Sequence, residues 1–214
     1  MVAKLHCFGE SGHSYKVAMM MEMTGQPWQP VFVDFFGGAT RSADYLNSLN
    51  EMGEAPVLVE DGQVLTQSGV ILLHLAERSS RFLDGDRNEI LRWLFWDNHK
   101  GSAQFGTLRF LMNFLPPEKR PAEVIAFLQG RVRAALKTLD GHLEGRTWLV
   151  GGQATIADLS CCSYLYYPEP FGFERSKWPH IDAWLDRIAE LPGWKHPYDL
   201  MPGNPADRAA KEDA

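Results

Sequence analysis

The chain has 214 residues, 45% of them hydrophobic, with 21 basic against 27 acidic side chains and a net charge of −6. That length buries a good core as one or two domains, and an acidic balance without any basic tract argues against nucleic acid or an anionic membrane as the main partner. No stretch approaches the roughly 18 unbroken apolar residues of a membrane-spanning helix, the opening MVAKLHCFGE lacks the apolar run of a secretory leader, and a soluble cytoplasmic protein is expected. Cys7, Cys161 and Cys162 offer neither a disulfide framework nor metal spacing, and the histidines do not pair with acids or cysteines at site spacing. Reduced, structural thiols and no metal are expected.

In chain order, the pattern predicts a strand over 3–8, a helix over about 13–24 ended by Gly25, a strand over 29–34 and then an irregular glycine-containing stretch. Met19, Met20, Met21 and Met23 read as adaptable core filler rather than a soft binding surface. Pro56 precedes Val57, Leu58 and Val59 and fits a strand's first position, where its missing N–H costs no ladder hydrogen bond. Asp61-Gly62 is a hairpin signal between that run and Val64-Leu65. Gln67-Ser68-Gly69 opens an apolar-periodic helix (Val70, Leu73, His74, Glu77), placing a hydroxyl and backbone N–H groups where a helix N-terminus attracts a carboxylate. The alternation predicts an α/β domain over 1–78.

Residues 79–86 read as a polar linker, and 87–214 as an all-helical domain. One helix runs from Arg87 to about Leu115, stopped by Pro116-Pro117; a second covers about 121–143, a third begins near Thr155, and a fourth spans about 181–191 before Pro192-Gly193. Thr155-Ile156-Ala157-Asp158 is a capping box. Trp93, Leu94 and Trp96 read as core, and the charged tail from Gly203 to Ala214 as a frayed end.

The run MGEAPVLVEDGQVLTQSGVILLHLAER, Met52 to Arg78, resembles the glutathione-binding half of the cytosolic glutathione S-transferases, and the chain is similar to their serine-type, bacterial theta/nu-like members. WLVGG before the capping box and the late segment WPHIDAWLDRIAELPGW extend the resemblance over roughly residues 3–196. It implies a thioredoxin-like N-terminal domain plus an all-α C-terminal domain. It also implies a cis-proline at Pro56, with Ala55 offering its backbone to the thiol-bearing part of glutathione and Gln67-Ser68 holding the γ-glutamyl group.

Residue type alone makes Ser11 or Ser14 a helix N-cap. The resemblance makes Ser11 the thiol-activating residue, because it stands six positions before Val17, as the activating serine of serine-type members does. A hydroxyl and the backbone N–H groups of a helix start favour a thiolate over a thiol. His13 contacts glutathione or the second substrate, or faces solvent. Glu54 departs from the family, which commonly carries lysine there near the glycine carboxylate; an acid would repel that carboxylate, and Arg41 is the residue placed to compensate.

In the family the acceptor binds between the domains, mainly along the first helix of the second. His99, Ala103 and Gly106 are its candidate residues here, the two small ones leaving a cavity, with Tyr164 and Tyr167 of a later helix presenting hydroxyls. The resemblance therefore implies an enzyme that adds glutathione, as co-substrate, to a small electrophile, acting as a homodimer. Glutathione-dependent peroxidase or isomerase chemistry and a non-catalytic scaffold of the same fold are the alternatives. The absence of a C-x-x-C motif argues against glutaredoxin-like thiol exchange.

Overall fold

The computed structural model describes residues 2–203 and 205. The predicted frayed tail lies outside them except for Gly203 and Pro205. The chain divides into two compact units: one runs through Ser79 and resumes at Pro192, and the other is Ser80–Leu191.

In the first unit, β1 (Ala3–Cys7), α1 (Gly12–Thr24) and β2 (Trp28–Phe32) precede a 3-10 turn (Ala39–Arg41) and α2 (Ala43–Ser48), and β3 (Val57–Glu60), β4 (Gln63–Thr66) and α3 (Ser68–Ser79) follow. The sheet order is β2-β1-β3-β4. β1 pairs parallel to β2, with Leu5 opposite Pro30, and antiparallel to β3, with Leu5 opposite Leu58. Pro30 is tolerated because β2 is an edge strand, so no further strand needs its missing N–H. The hairpin turns at Asp61 and Gly62, both in the left-handed region. Met19, Met20, Met21 and Met23 are buried on α1, a helix apolar on nearly every side because the fold encloses it. Gly25 stops α1 at φ 68°, donating to Glu22 O while Gln26 N donates to Met21 O.

The returning segment corrects the predicted boundary of the helical domain. α9 (Pro197–Leu200) packs on α1, the Tyr15 hydroxyl donates to Lys195 O at 2.8 Å, and Lys195 Nζ donates to Glu22 at 2.7 Å. Gly193, at φ 87°, approaches α1 so closely that a Cβ there would lie 2.9 Å from Glu22 O. Helical periodicity carries no information about which unit a terminal segment joins, and these contacts decide it.

The second unit is all-helical: α4 (Arg87–Lys100), α5 (Ser102–Asn113), α6 (Ala122–Leu143), α7 (Ile156–Cys162) and α8 (Pro179–Ala189), with 3-10 turns at Pro117–Lys119, Ser163–Tyr166 and Arg175–Lys177. The thioredoxin-like α/β unit and the all-helical unit are the fold class expected. Among the described residues no helix is long and apolar enough to cross a membrane.

The single helix predicted over 87–115 is broken at Gly101, at φ −86° and ψ −95°. Buried Asp97 makes the break: its carboxylate accepts from Ser102 N at 3.1 Å, Ser102 Oγ at 2.8 Å and Ser160 Oγ at 2.6 Å. A Cβ at position 101 would lie 2.6 Å from Asp97 Oδ1, so only glycine leaves the carboxylate room. The capping box forms as predicted, Ala157 N donating to Thr155 Oγ1 and Thr155 N to Asp158 Oδ2. Asp158 also accepts from Leu149 N and from Trp184 Nε1, both at 2.9 Å, joining the helix start to the preceding loop and to α8. Trp93 and Leu94 are buried core, and Trp96 is half-buried.

Candidate active site

Ser11 sits where β1 has ended and α1 begins. Its backbone is extended (φ −88°, ψ 107°) and its Oγ accepts from Ser14 N at 3.1 Å, making it the N-cap. A hydroxyl carries one donor beside its acceptor lone pairs. The cap occupies a lone pair, and the Ser11 hydroxyl hydrogen has no acceptor among the described residues. Ser14 is a buried residue of the helix itself. Tyr15 is not available for thiol chemistry, since its hydroxyl is spent on Lys195 O.

Ala55-Pro56 is a cis peptide leading into β3. The preceding loop is held by two buried side chains that sequence reasoning missed. The Tyr45 hydroxyl donates to Glu54 O at 2.8 Å, and Asn50 Nδ2 donates to the same carbonyl at 2.9 Å. Asn50 Oδ1 also accepts from Met52 N at 3.0 Å. Burial, which pushes the Tyr45 phenol up to about 12, keeps that donor protonated. The only sequence signal was an asparagine three residues before a glycine, a common turn pattern.

Gln67 connects β4 to α3 with φ 65°, a conformation that costs a non-glycine residue roughly 1–2 kcal/mol. Ser68 is the first residue of α3, and its Oγ lies 3.2 Å from His13 Nδ1. The Gln67 amide reaches back, with Nε2 donating to Glu54 Oε2 at 2.8 Å and to Met52 Sδ at 3.3 Å. Hydrogen bonds therefore link His13 to Ser68 and the Gln67 side chain to Glu54, neighbour of Ala55-Pro56. Arg41 ends an exposed 3-10 turn, and among the described residues no hydrogen bond or ion pair joins it to this group. Its turn is nonetheless adjacent: a Cβ on Gly53 would lie 3.0 Å from Thr40 O.

This cluster offers three things: a buried hydroxyl able to donate, the free N–H groups of a helix start beside a second hydroxyl, and an acid on the neighbouring loop. A carboxylate suits the helix start, and a sulfur anion suits the Ser11 donor. Any sulfur anion at that donor would come from a ligand. Cys7, Cys161 and Cys162 are buried, and burial pushes the Cys7 thiol up to about 12. Among the described residues no cluster of histidine, cysteine, aspartate and glutamate is placed to hold a metal.

The second-substrate residues all lie in the helical unit. Gly106, Tyr164 and Tyr167 come together, since a Cβ on Gly106 would meet the Tyr164 ring and hydroxyl at 2.8 Å, and the two tyrosine rings are 6.0 Å apart. The Tyr164 ring therefore fills the space that Gly106 was expected to leave as a cavity. The tyrosines are not on one helix: α7 ends at Cys162, Tyr164 lies in a 3-10 turn, and Tyr167 closes that turn. His99 and Ala103 are exposed on α4 and α5, on opposite sides of the Gly101 break. Arg109, which the sequence did not single out, is buried under this group. Its guanidinium is 4.0 Å from the Tyr167 ring centre and bonds Glu169 at 2.6 Å.

Comparison with known proteins agrees with this geometry. Residues 1–77 match the model of the glutathione S-transferase N-terminal domain, and residues 107–192 that of the C-terminal domain. The chain is 30% identical to glutathione S-transferase GST-4.5 of Xanthomonas campestris over 168 residues, 76% of this chain and 81% of that protein. It is 29% identical to the maleylacetoacetate isomerase of Pseudomonas aeruginosa over 215 aligned positions, 95% of this chain and 99% of that one. Among solved structures, a glutathione S-transferase from Xanthobacter autotrophicus is 33% identical with a TM-score of 0.82, covering 97% of this chain and 99% of its own.

Proposed function

Because the chain belongs to the glutathione S-transferase family, we propose that it is a glutathione transferase in which Ser11 activates the thiol of glutathione for attack on a small electrophile. The observation that carries the reading is the state of Ser11: its lone pair is engaged by Ser14 N and its hydrogen is left for a sulfur acceptor. A thiol of pKa about 8.5 is only a few per cent ionised at neutral pH, and lowering it by two units takes about 2.7 kcal/mol of differential stabilisation. A hydrogen bond to a charged group supplies about 1.5–3 kcal/mol, and the start of α1 adds favourable dipole. The γ-glutamyl carboxylate takes the α3 N-terminus beside Ser68, and the Ala55 backbone pairs with the thiol-bearing residue.

The thiolate lone pair then forms the new S–C bond while the electrophile's displaced electron pair leaves or shifts onto its acceptor atom. Catalysis is thiolate stabilisation together with the orientation of two bound reactants. Glu54 tempers binding. Its carboxylate faces a tripeptide of net negative charge, and its hydrogen bond to Gln67 holds that charge at the site. The family also leads us to expect a cytoplasmic homodimer.

A second reading keeps the thiolate and changes the outcome. The near full-length similarity to a maleylacetoacetate isomerase favours thiolate addition to a carbon–carbon double bond, rotation about the resulting single bond, and elimination of the same thiolate. The two readings differ in whether glutathione is consumed.

The test is calorimetric titration with glutathione while thiolate absorbance is followed in the ultraviolet. Saturable binding with thiolate appearing near neutral pH is expected. Absence of binding at millimolar glutathione would refute the proposal.

A further inference from the structure

The first unit holds a cavity of about 90 Å³ at the paired ends of β1 and β2, between Phe8 and Glu10 on one side and Phe32, Asp34, Phe35 and Phe36 on the other. A water needs roughly 10–15 Å³ and drug-sized ligands roughly 300–1,000 Å³, so the cavity suits a group of a few heavy atoms. Three of the rings that line it form one assembly. Phe8 and Phe35 stack with centres 4.8 Å apart and planes within 7°. Phe36 stands edge-on to both, 6.2 and 5.6 Å away at 80° and 87°. The lining rings therefore lie in two nearly perpendicular planes, and the face of an aromatic ring attracts a cation.

The acids add charge to the same wall. Glu10 is only 4% exposed, with both carboxylate oxygens withdrawn from water, where solvent screens its field little. The Asp34 carboxylate is held by a hydrogen bond from Gly37 N at 2.9 Å, and a Cβ at position 37 would collide with it. No lining residue is basic. The walls are also tied down: Val33 N donates to Cys7 O at 2.9 Å, Ser11 N to Phe8 O at 3.1 Å and Gly9 N to Pro202 O at 2.7 Å. Negative potential and aromatic faces in one small cavity both favour a cation. A bare calcium ion asks for six to eight oxygen ligands, and a primary ammonium for acceptors to its three donors. A wall made mostly of phenyl rings supplies neither. Methyl groups on the nitrogen bury apolar surface against those rings and keep the charge.

We infer that this cavity binds an alkylated ammonium group. Glu10 adjoins Ser11, and the Phe8 carbonyl holds the Ser11 N–H. The use of the site rests on the thiol reading above: the acceptors this chain favours carry such a group near the carbon that sulfur attacks.

The first probe is choline, titrated into the full chain at constant ionic strength and followed by its methyl proton NMR signal, beside its uncharged isostere 3,3-dimethylbutan-1-ol. Choline should saturate and bind at least about tenfold tighter than the alcohol. Glu10→Gln with Asp34→Asn should bring the two ligands to within about threefold of each other, with circular dichroism unchanged. Asp34→Asn alone should already narrow the gap, which keeps the test open if the double variant does not fold. No saturation by choline up to about 50 mM, equal affinity for the alcohol, or an undiminished preference in the variants overturns the inference.

The second probe is a pair of acceptors, (4-chloro-3-nitrobenzyl)trimethylammonium and 4-chloro-3-nitro-neopentylbenzene. On either, the glutathione sulfur bonds to the chlorine-bearing carbon and chloride leaves with its bonding pair. Once each kcat/KM is divided by the rate with glutathione alone, the cation should be favoured at least about tenfold. Turnover of both without that preference overturns the inference and leaves the thiol reading intact. Selective choline binding without turnover of either acceptor refutes the thiol reading and leaves the ammonium site standing.

Discussion

Replacing Ser11 with alanine removes the cap that its oxygen forms and the donor to sulfur that we propose for it. The first is the cap: Ser14 N loses its acceptor at 3.1 Å, at a cost of about 1 kcal/mol for a typical N-cap. For a chain of this length that lowers the thermal midpoint by roughly 2–4 °C. The second is the donor to sulfur, where losing about 1.5–3 kcal/mol raises the bound thiol's pKa by roughly 1–2 units. At neutral pH, kcat/KM should therefore fall about 10- to 100-fold, with its acid limb displaced upward. Ser11→Asp separates the two effects. An ionised carboxylate accepts from Ser14 N and restores the midpoint, but it has no donor and places a negative charge beside the sulfur. Its acid limb should lie higher still. The assay is the pH profile of kcat/KM for an activated chloroarene, with thermal unfolding run on the same samples. If the alanine variant's profile overlays that of the parent, or the aspartate variant regains activity along with stability, Ser11 is a cap and nothing more.

Glu54→Gln keeps an acceptor for the Gln67 amide and removes one charge, which at about 6 Å in a water-like dielectric repels an anion by roughly 0.7 kcal/mol. Calorimetry should show glutathione bound about threefold tighter at low salt, with the gain shrinking as salt is added. Asp158→Ala strands the donors of Leu149, Thr155 and Trp184; at about 1–3 kcal/mol for each buried unsatisfied group, urea unfolding should show a loss of at least about 3 kcal/mol. Gly106→Ala drives a Cβ to within 2.8 Å of the Tyr164 ring and should cost about 1–3 kcal/mol, relieved when combined with Tyr164→Ala. At high pH the sign is set by Cys7, whose thiol burial raises from 9.0 to about 12. Its contribution is complete below the unfolded value and is lost as pH rises through the folded one, so the unfolding midpoint should fall between about pH 9 and 12, and less steeply in Cys7→Ala.

Local chemistry made much of this protein legible from sequence. Gly25, Asp61-Gly62 and the Thr155–Asp158 box each act within a few residues, and each occurs where its side chain or missing side chain requires. Ser11, Gln67 and Ser68 were legible as a group only through resemblance, because nothing local distinguishes an activating serine from an ordinary cap. The break at Gly101 was hidden for a different reason. Glycine inside a helical pattern is usually tolerated at modest cost, and what ends α4 is a carboxylate one turn earlier bonded to Ser160, 63 residues from Asp97 along the chain. Tyr45 and Asn50 escaped for a third reason: both serve the Glu54 carbonyl, nine and four residues further on, and no helix or strand period pairs a side chain with a loop carbonyl. The Glu54 side chain was read as an acid that repels the glycine carboxylate of glutathione, and its hydrogen bond from Gln67 was not foreseen.

The return of the chain from Pro192 to the sheet-bearing unit has a topological consequence. Residues 80–191 are an insertion within a host domain whose two pieces are far apart in sequence. A protease cut in the 79–86 segment would sever one of two covalent crossings and leave the other intact. A recombinant fragment ending at residue 78 would deprive the Tyr15 hydroxyl and the Glu22 carboxylate of their partners on Lys195. Producing the host domain alone calls for a circularised or spliced gene that joins residue 79 to residue 192, or for the missing segment supplied in trans as a peptide.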